Sequence, residues 1–442
     1  MSNQHHLLTN DKREIFGWTM YDWANSAFST TVATVFLGPY LTSLANAAAD
    51  SQKLVYLLGI PIAPGSFMAY CVSVSVGLQV LFLPLLGAIS DYSNLRKSMF
   101  MLFATLGAIM TTCLFFVTGG LWWLGGLLFI LANLSFGAAI VFYNAYLPDI
   151  ASEERRDNVS SRGFAMGYLG GGLLLLVNIV LFLFSDRIGV DGSLAVRINL
   201  ASAGIWWLLF SQVTFRALRP RAAMQTLPPG KNYLTVGIAQ LRETFRTIKN
   251  YPHTIHYLIA YLVFNDGIQT VIGVSSVFGA EELKLDVGTL SGIILMVQFV
   301  AYFGAHLFDR IASRYGAKNA IMISLVVWAT VTIYSYGFLY TGTQFWLLGA
   351  VIALVLGGSQ ALSRSLFSKM IPRGREAEFF SFYEISERGT SWMGPLVFGL
   401  VNQLTGSMRL GILSLIFFFV VGLALLIPVN VKRAIAEAER GD

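Results

Sequence analysis

The sequence predicts an all-α membrane protein with twelve transmembrane helices arranged as two six-helix bundles. Of its 442 residues, 55% are hydrophobic and only 12% are charged, whereas a soluble domain carries about 25% charged residues. Its apolar runs reach the roughly 20 residues that a helix needs to cross about 30 Å of hydrocarbon. These runs are continuous rather than alternating, which favours helices over a barrel.

The order of the apolar runs divides the chain into two halves. A long polar connection at 218–254, with a Pro-Pro-Gly turn signal, separates six runs on each side. We therefore predict an N-terminal bundle at 1–217, a linker at 218–254 and a C-terminal bundle at 255–442. The linker has amphipathic spacing that indicates a helix along the inner membrane face, with a solvated linker as the alternative. The twelve predicted spans are 15–40, 66–90, 98–117, 121–146, 162–184, 196–217, 255–280, 287–308, 318–340, 343–367, 379–403 and 409–429.

The basic residues lie mainly on one side of these spans. With the N-terminus inside, inner segments hold 24 of the 30 Lys and Arg residues, and one more lies within a span. This positive-inside pattern predicts cytoplasmic termini in a plasma (inner) membrane protein. It also explains the net charge of +6 without a nucleic-acid partner. The five basic residues in outer segments are Lys53, Arg187, Arg197, Lys284 and Arg409.

Two aspartates lie inside spans that correspond in the two halves. Asp22 precedes Asn25 in the first span, and Asp266 precedes Gln269 in the seventh. A carboxylate within a membrane helix costs at least a few kcal/mol and usually marks an ion or substrate pathway. At a rise of 1.5 Å per residue, Asp22 lies about 10 Å and Asp266 about 16 Å into its span. These four residues form the predicted proton or substrate pathway.

A second correspondence supports an internal duplication. Pro148 and Gly170 are separated by the same number of residues as Pro372 and Gly394, which aligns the fifth span with the eleventh. Six-plus-six repeats with a site at their interface are typical of major facilitator transporters. The alternative is twelve spans with chance matches.

The paired aspartates have two interpretations. In the first, Asp266, and after it Asp22, couples a proton to transport, because membrane carboxylates form proton relays in transporters. In the second, the carboxylates only make hydrogen bonds between helices, with Asn25 or Gln269 as partners. Other polar and aromatic residues at similar depth are predicted to line a substrate cavity: Tyr21, Trp23, Tyr143, Asn144, Gln360 and Trp392.

A charged loop follows the second span. In GAISDYSNLRK, at 87–97, Gly87 and Asp91 match the major facilitator loop signature, and Arg96 comes one residue late. The second half has a related loop, DRIASRYGAK, at 309–318. Charge pairs that form and break at helix ends suit a gate. The alternative is a basic loop that only fixes topology.

Further charges lie near the inner ends of the tenth and eleventh spans. Glu384 and Arg388 are four residues apart and share a helix face. We expect them to join the gate, with direct clamping of a substrate carboxylate by Arg364 or Arg388 as the alternative. The predicted inner gate comprises Asp91, Arg96, Asp309, Arg310, Arg364, Glu384, Glu387 and Arg388.

Six further motifs are distributed along both halves: YDWANSAF, NAYLPDI, GYLGGG, NDGIQT, QALSRSLFSKMIP and GPLVFGLVNQLTGSMRLGILSL. Together they resemble one branch of the major facilitator superfamily, the bacterial proteins related to the fungal vacuolar amino-acid effluxer. The resemblance extends from about residue 14 to residue 430. It implies a twelve-helix transporter fold and export of neutral amino acids, and it supplies no catalytic residues.

These observations predict a secondary transporter of a small organic solute that works by alternating access, with protons as a further partner. An amino acid or similar metabolite is the first candidate substrate. The alternatives are an exporter of a drug, sugar or lysolipid, and a non-transporting sensor on a transporter scaffold. No enzyme signature is present, and GYLGGG lacks the Gly-Lys-Ser/Thr of a nucleotide loop. Cys71 and Cys113 have no metal-binding spacing, so neither a cofactor nor a metal is expected.

Overall fold

The computed structural model describes residues 9–222, 238–239, 250–388 and 393–440. This part of the chain is helical apart from one short hairpin. The predicted interfacial helix of the 218–254 linker falls almost wholly outside the described residues. The helices are α1 Lys12–Ala27, α2 Leu37–Ala47, α3 Phe67–Asp91, α4 Arg96–Cys113, α5 Trp122–Ala145, α6 Leu147–Ile150, α7 Glu153–Leu183, α8 Gly192–Ala217, α9 Pro252–Glu281, α10 Val287–Tyr315, α11 Ala317–Gly337, α12 Gly342–Lys369, α13 Glu376–Arg388, α14 Met393–Thr405, α15 Met408–Ser414, α16 Ile416–Leu426 and α17 Val431–Arg440.

Within the described residues, ten helical segments are long and apolar enough to cross a membrane. The sequence predicts twelve, and the two other predicted spans correspond to α1–α2 and to α13–α14. Both begin with polar stretches, KREIFGWTMYDWANSA and EAEFFSFYEISER, and residues 389–392 of the second lie outside the described part of the chain. Several of these polar side chains face a cavity rather than lipid, as described below.

The first span is one continuous helix that changes its winding. A π-helical stretch, Phe28–Phe36, joins α1 to α2. Within it the Thr34 hydroxyl donates to the carbonyl of Ser29, five residues earlier, at 2.7 Å. π-helical turns inside α-helices frequently occur at functional sites, and this one contributes to the cavity wall.

Helix packing joins the first part of the chain to the second along two seams. In one seam, α7 packs against α10 and α12, and in the other, α13 packs against α3 and α5. Within the first part, α1 packs against α7 and α8. Within the second part, α9 packs against α16, and α10 packs against α12. We refer to residues 9–217 and 252–440 as the two halves.

Glycines allow close helix approach at matching places in the two halves. A Cβ on Gly170 of α7 would lie 2.6 Å from the carbonyl oxygen of Trp23 in α1. A Cβ on Gly394 of α14 would overlap the Thr270 side chain of α9. These are the two glycines that the predicted duplication aligns, and each packs against the helix that carries one of the paired aspartates.

The two ends of the described chain lie at the same end of the bundle, here called the terminal end. Near one terminus, the Asn10 N–H donates to the carbonyl of Ile150 at 2.8 Å. Near the other, the backbone N–H of His253 donates to Glu437 of α17 at 3.4 Å.

At the opposite end, the loop after α2 forms a β-hairpin. Strands β1 Val55–Leu57 and β2 Ile60–Ile62 pair antiparallel, and Leu58 is 96% exposed at the turn. A backbone hydrogen bond from Leu54, assisted by the Tyr56 hydroxyl, holds the pKa of the Asp50 carboxyl below its usual range. The sequence predicts this segment only as an external loop.

Candidate functional site: a cavity between the two halves

A cavity of about 460 Å³ lies between the two halves. This volume is in the range of small-molecule sites. The wall extends from Arg364, at the end near the termini, to Thr34 and Val72 in the part of the bundle nearer the hairpin. The polar residues that line it are Asp22, Asn25, Ser26, Ser29, Thr30, Thr34, Asn133, Asn144, Tyr168, Gln269, Gln298, Gln360, Arg364, Tyr383, Glu384 and Glu387.

An ion pair between the halves forms the floor of this cavity. Arg364 of α12 donates from Nη2 to Asp22 Oδ2 of α1 at 3.1 Å, and the Tyr143 hydroxyl donates to the same oxygen at 2.7 Å. The two charged side chains are only 4% and 10% exposed. Removing one partner of such a buried ion pair is costly, because it leaves the other charge buried and unpaired. The Asp22–Arg364 pair therefore links the two halves at the cavity floor.

Arg364 is held from several sides. Its Nε donates to the Ser160 hydroxyl at 2.9 Å, and its Nη2 also donates to the Ser160 carbonyl at 3.0 Å. The guanidinium carbon lies 4.2 Å from the ring centre of Phe164, 4.7 Å from that of Trp18 and 5.5 Å from that of Tyr143. Cation–π contacts at these distances are attractive, so the guanidinium has a fixed place even apart from its bond to Asp22.

A glycine makes room for the floor pair. A Cβ on Gly163 of α7 would overlap Asp22 Oδ2 and would lie 2.9 Å from Arg364 Nη2. Because α7 has no side chain at this position, the guanidinium and the carboxylate can meet across the seam.

Two further hydrogen bonds cross between the halves beside the cavity. Asn144 of α5 donates to Glu384 of α13 at 3.0 Å, and the Tyr168 hydroxyl of α7 donates to Gln360 of α12 at 2.6 Å. Glu384 is 1% exposed. Polar side chains from both halves therefore form hydrogen bonds with each other along the cavity wall.

Asp266 lies outside the lining of this cavity, although Gln269, one turn further along α9, lines it. The Asp266 carboxylate is buried and accepts the N–H of Gly394, at the beginning of α14, at 2.7 Å. Its second oxygen has no hydrogen-bond partner among the described residues. In the structure, the Asp266 side chain accepts a backbone N–H of α14, whereas Asp22 lines the cavity.

The predicted cavity residues divide into two groups. Asn144 and Gln360 line the cavity. Tyr143 stands behind Asp22, Tyr21 packs edge-on against Phe100, and Trp23 stacks on Trp206. Trp392 lies outside the described residues. The sequence pattern gives the depth of these side chains but not the direction in which they point.

A cluster of charges closes the terminal end of one seam. Arg96 pairs with Asp91 at 3.0 Å, with Asp149 at 3.0 Å and with Glu376 of the other half at 3.2 Å. Asp91 also accepts the N–H groups of Ala377 and Glu378 at 3.2 and 2.9 Å. Those groups belong to the first turn of α13, where a carboxylate interacts favourably with the helix dipole. Asp91, Arg96, Asp149 and Glu376 are called the inner charge cluster below.

The other seam is closed near the same end by α7 and α12. Asp157 accepts from Lys369 at 2.8 Å and from the Ser365 hydroxyl at 2.7 Å. The Arg156 guanidinium donates to the Ser368 carbonyl at 2.7 Å. These are contacts between opposite halves, so both seams are tied at the terminal end.

The remaining predicted gate residues occupy different places. Asp309 accepts from Asn158 of the other half at 2.7 Å, and Arg310 is exposed at the end of α10. Glu387 lines the cavity, and the side chain of Arg388 lies outside the described part of the chain. Sequence reasoning missed Asp149, Asp157, Ser160, Lys369 and Glu376. Of these, Asp149 stands in the NAYLPDI motif and Lys369 in QALSRSLFSKMIP, and the others have no distinctive local signal.

Within the described residues, no group of three or more His, Cys, Asp or Glu side chains could hold a metal ion. The chemistry of the cavity is instead that of a polar binding site with one guanidinium, several carboxylates and several amides. Polar groups of these kinds fix the orientation of a small ligand in a pocket.

Comparisons with known proteins agree with this architecture. A family model described as "Vacuole effluxer Atg22 like" matches residues 10–439. The uncharacterized MFS-type transporter YxiO of Bacillus subtilis (strain 168) is 32% identical over 412 residues, which cover 92% of this chain and 93% of that protein. Autophagy-related protein 22 of Yarrowia lipolytica is 27% identical over 469 residues, covering 87% of this chain and 79% of that protein.

Solved structures show the same fold at low sequence identity. The proton:xylose symporter XylE bound to 6-bromo-6-deoxy-D-glucose superposes with a TM-score of 0.69 at 13% identity, covering 96% of this chain and 95% of that one. A bacterial homologue of the iron transporter ferroportin in an outward-facing state gives 0.68 at 13% identity, covering 95% and 99%. The predicted family is confirmed: this chain belongs to the Atg22-like vacuole effluxer family and is a multi-pass membrane transporter of the major facilitator superfamily.

Proposed function

We propose that this transporter is a secondary carrier that moves a small organic solute across the plasma membrane by alternating access. One observation carries the proposal: the ion pairs between the halves cluster at the terminal end, while the cavity extends away from that end. A cavity between two halves whose described ion pairs cluster at one end corresponds to one of two alternating states. With cytoplasmic termini, this is the outward-facing state.

The topology proposed with it is that of twelve spans in two six-helix bundles. In this arrangement α1–α2 and α13–α14 are the first and eleventh spans, and the connection at 218–254 joins the bundles. Their polar stretches are tolerated because the side chains face the aqueous cavity or the seams instead of lipid.

An amino acid is the first candidate substrate. One guanidinium, at Arg364, and the carboxylates of Glu384 and Glu387 line the same cavity. A zwitterion needs a cation for its carboxylate and anions for its ammonium group, and a cavity of about 460 Å³ accommodates a molecule of that size. Sugars, drugs and lysolipids match this combination of one cation and two carboxylates less well than an amino acid does.

Counterflow in proteoliposomes tests the carrier function. Vesicles preloaded with one unlabelled neutral amino acid should transiently accumulate the same labelled amino acid, without any imposed gradient of protons. A panel of amino acids is tested singly, with xylose and a lysophospholipid as comparison solutes. Saturable binding of a solute without counterflow of any solute would instead support a sensor on a transporter scaffold.

A reversible cross-link gives the matched control. Asn158 and Asp309 lie in opposite halves, in contact at the terminal end, so a short bifunctional thiol reagent should tie Asn158→Cys to Asp309→Cys. Both natural cysteines, Cys71 and Cys113, are first replaced by alanine. Counterflow should stop on cross-linking and return on reduction. Counterflow that continues in the fully cross-linked protein would contradict alternating access.

Proton coupling by Asp266 and Asp22 is part of the same proposal. If Asp266 or Asp22 carries the proton, its replacement by asparagine should abolish uptake driven by an imposed pH gradient. The same variant should keep counterflow, because counterflow needs no net proton movement. If Asp266→Asn retains full gradient-driven uptake, Asp266 does not carry the proton.

A further inference from the structure

Arg364 is the one basic residue among the described residues that line the cavity. Its hydrogen bonds to described residues use Nε and Nη2 only, and Nη1 has no acceptor among them. A guanidinium has five N–H donors in a rigid fork. Part of that fork is therefore available to a ligand in the cavity.

Asn25 supplies an independent sign of a ligand. It is 4% exposed and lines the cavity one turn after Asp22. Its amide nitrogen lies beside the Tyr21 hydroxyl but meets hydrogen-bond geometry with no acceptor within the described residues. A buried donor without an acceptor is costly, so a ligand oxygen at this place would satisfy it. Asn25 and Arg364 thus offer donors to the same cavity from opposite halves.

We propose that Arg364 is the specificity-determining residue for a carboxylate of the substrate, and that Asp22 is the internal carboxylate it displaces. This inference rests on the proposed carrier function and assigns the substrate class at its site. In the structure Asp22 occupies one edge of the fork. A substrate carboxylate enters at the Nη1 edge, accepts from Asn25, and takes over the guanidinium from Asp22.

The exchange links recognition to movement of the halves. The bond between Asp22 and Arg364 joins α1 to α12, so its replacement by a bond to the substrate removes one tie between the halves. Asp22 keeps the Tyr143 hydroxyl as a donor, and it can also take up a proton. The rings of Phe164, Trp18 and Tyr143 hold the guanidinium in place during the exchange.

The inference predicts an increase in affinity on removing a charge. In Asp22→Asn the internal competitor is gone, so carboxylate probes should bind more tightly by at least about tenfold, a factor equivalent to about 1.4 kcal/mol. In Arg364→Gln the same probes should no longer bind. Arg364→Lys keeps the charge without the planar fork and should bind the probes weakly.

The test is isothermal titration and thermal-shift measurement on purified protein in nanodiscs. The probes are acetate and L-alanine, with L-alaninamide and methylamine as matched compounds that lack a carboxylate. The control variant is Glu282→Gln, which removes an ion pair within the second half, with Arg409, and touches neither the cavity nor a seam. It should leave probe affinity within about twofold of the unmodified protein, because it changes no donor or competitor at the site.

Every outcome decides the inference. Tighter carboxylate binding in Asp22→Asn together with loss in Arg364→Gln supports it. Unchanged or weaker binding in a folded Asp22→Asn protein overturns it, as does the absence of carboxylate binding in both the unmodified protein and Asp22→Asn. If Arg364→Gln fails to fold, Arg364→Lys takes its place, and wild-type affinity in that variant overturns the inference.

The failure of this inference is distinguishable from failure of the carrier function. Counterflow of a solute without a carboxylate, such as xylose, would overturn the assigned substrate class and leave alternating access intact. Carboxylate binding that follows the predicted variant pattern, without counterflow of any bound solute, would keep the recognition site and reject the carrier.

Discussion

Replacement of Arg96 by alanine should shift the carrier from the state seen here toward one that is open at the terminal end. Arg96 is 8% exposed and pairs with three carboxylates, of which Glu376 belongs to the opposite half. Removing one partner of a buried ion pair typically costs about 3–5 kcal/mol. The charges left behind are hydrated when this end opens, so the cost falls mainly on the closed arrangement.

The structure places the effect near the lower end of that range. Asp91 keeps two backbone N–H donors from α13, and Asp149 keeps Arg221 at 3.6 Å and is 25% exposed. Glu376, which is 4% exposed, loses the cation that links it to the first half. A loss of about 3 kcal/mol corresponds to a shift of roughly 100-fold in the equilibrium between the two states.

Thiol accessibility measures this shift in nanodiscs, where both ends are open to reagent. In protein without Cys71 and Cys113, one new cysteine at a time is placed at Ser29, on the cavity wall, or at Ser365, in the closed seam. Arg96→Ala should slow maleimide labelling at Ser29→Cys and accelerate it at Ser365→Cys.

A matched control separates the gate from general loosening. Arg409 pairs with Glu282 at 2.6 Å within the second half, so Arg409→Ala removes a cation without touching either seam. It should leave both labelling rates near those of the parent protein. If Arg96→Ala leaves Ser365→Cys as protected as in the parent, the inner charge cluster does not hold this end closed.

Three further predictions concern stability, measured by thermal unfolding in nanodiscs. Gly163→Ala should destabilise the protein by about 1–3 kcal/mol through overpacking, because the new Cβ would overlap Asp22. Gly77→Ala should not destabilise it, because no atom lies within 4 Å of the Cβ position at Gly77. Equal effects of the two substitutions would contradict the proposed role of Gly163. Asp266→Ala should cost about 1 kcal/mol because the N–H of Gly394 loses its hydrogen-bond acceptor. Asp266→Asn keeps an acceptor for Gly394 and should cost less, and the reverse order would refute this role of Asp266. Glu14 pairs with the guanidinium of Arg221 at 3.1 Å, and Glu14→Ala removes this nearest carboxylate. The substitution should lower the free energy of unfolding by about 3 kcal/mol. A change below about 0.5 kcal/mol would show that the pair contributes little.

The sequence predicts the membrane class, the helical architecture and the family because these depend on properties that repeat along the chain. Apolar length alone locates the second span, predicted at 66–90 and found in α3, Phe67–Asp91. It fails at the fifth span, predicted from 162, because α7 begins at Glu153 and projects its charged first turns beyond the apolar run. Hydropathy measures lipid contact, and these turns contact the other half instead.

The site is predicted in part. Asp22, Asn144 and Gln360 line the cavity as expected from a polar residue within an apolar span. The position of Arg364 near the membrane edge predicts a gate residue, with direct binding of a substrate carboxylate as the alternative, and in the structure its side chain pairs with Asp22 at the cavity floor. Depth along a helix follows from sequence, but the rotation of each helix and the partner across a seam depend on packing between distant segments.

The partners of Asp266 also depend on packing that its position in the sequence does not determine. Its correspondence with Asp22 predicts a shared role, and both aspartates do lie beside glycines of the aligned spans. The two aspartates differ in their partners. Asp266 accepts the N–H of Gly394 in α14, whereas Asp22 accepts from Arg364 and from the Tyr143 hydroxyl.

Distances between spin labels at both ends of the bundle test alternating access most directly. One labelled pair, Ser43→Cys with Glu281→Cys, spans the end near the hairpin, and another, Glu154→Cys with Arg314→Cys, spans the terminal end; all four positions are exposed. Double electron–electron resonance should show that Arg96→Ala shortens the first distance and lengthens the second in the same fraction of molecules. Distances that stay unchanged in both pairs, or that lengthen together, would contradict a carrier whose two halves rock around the central cavity.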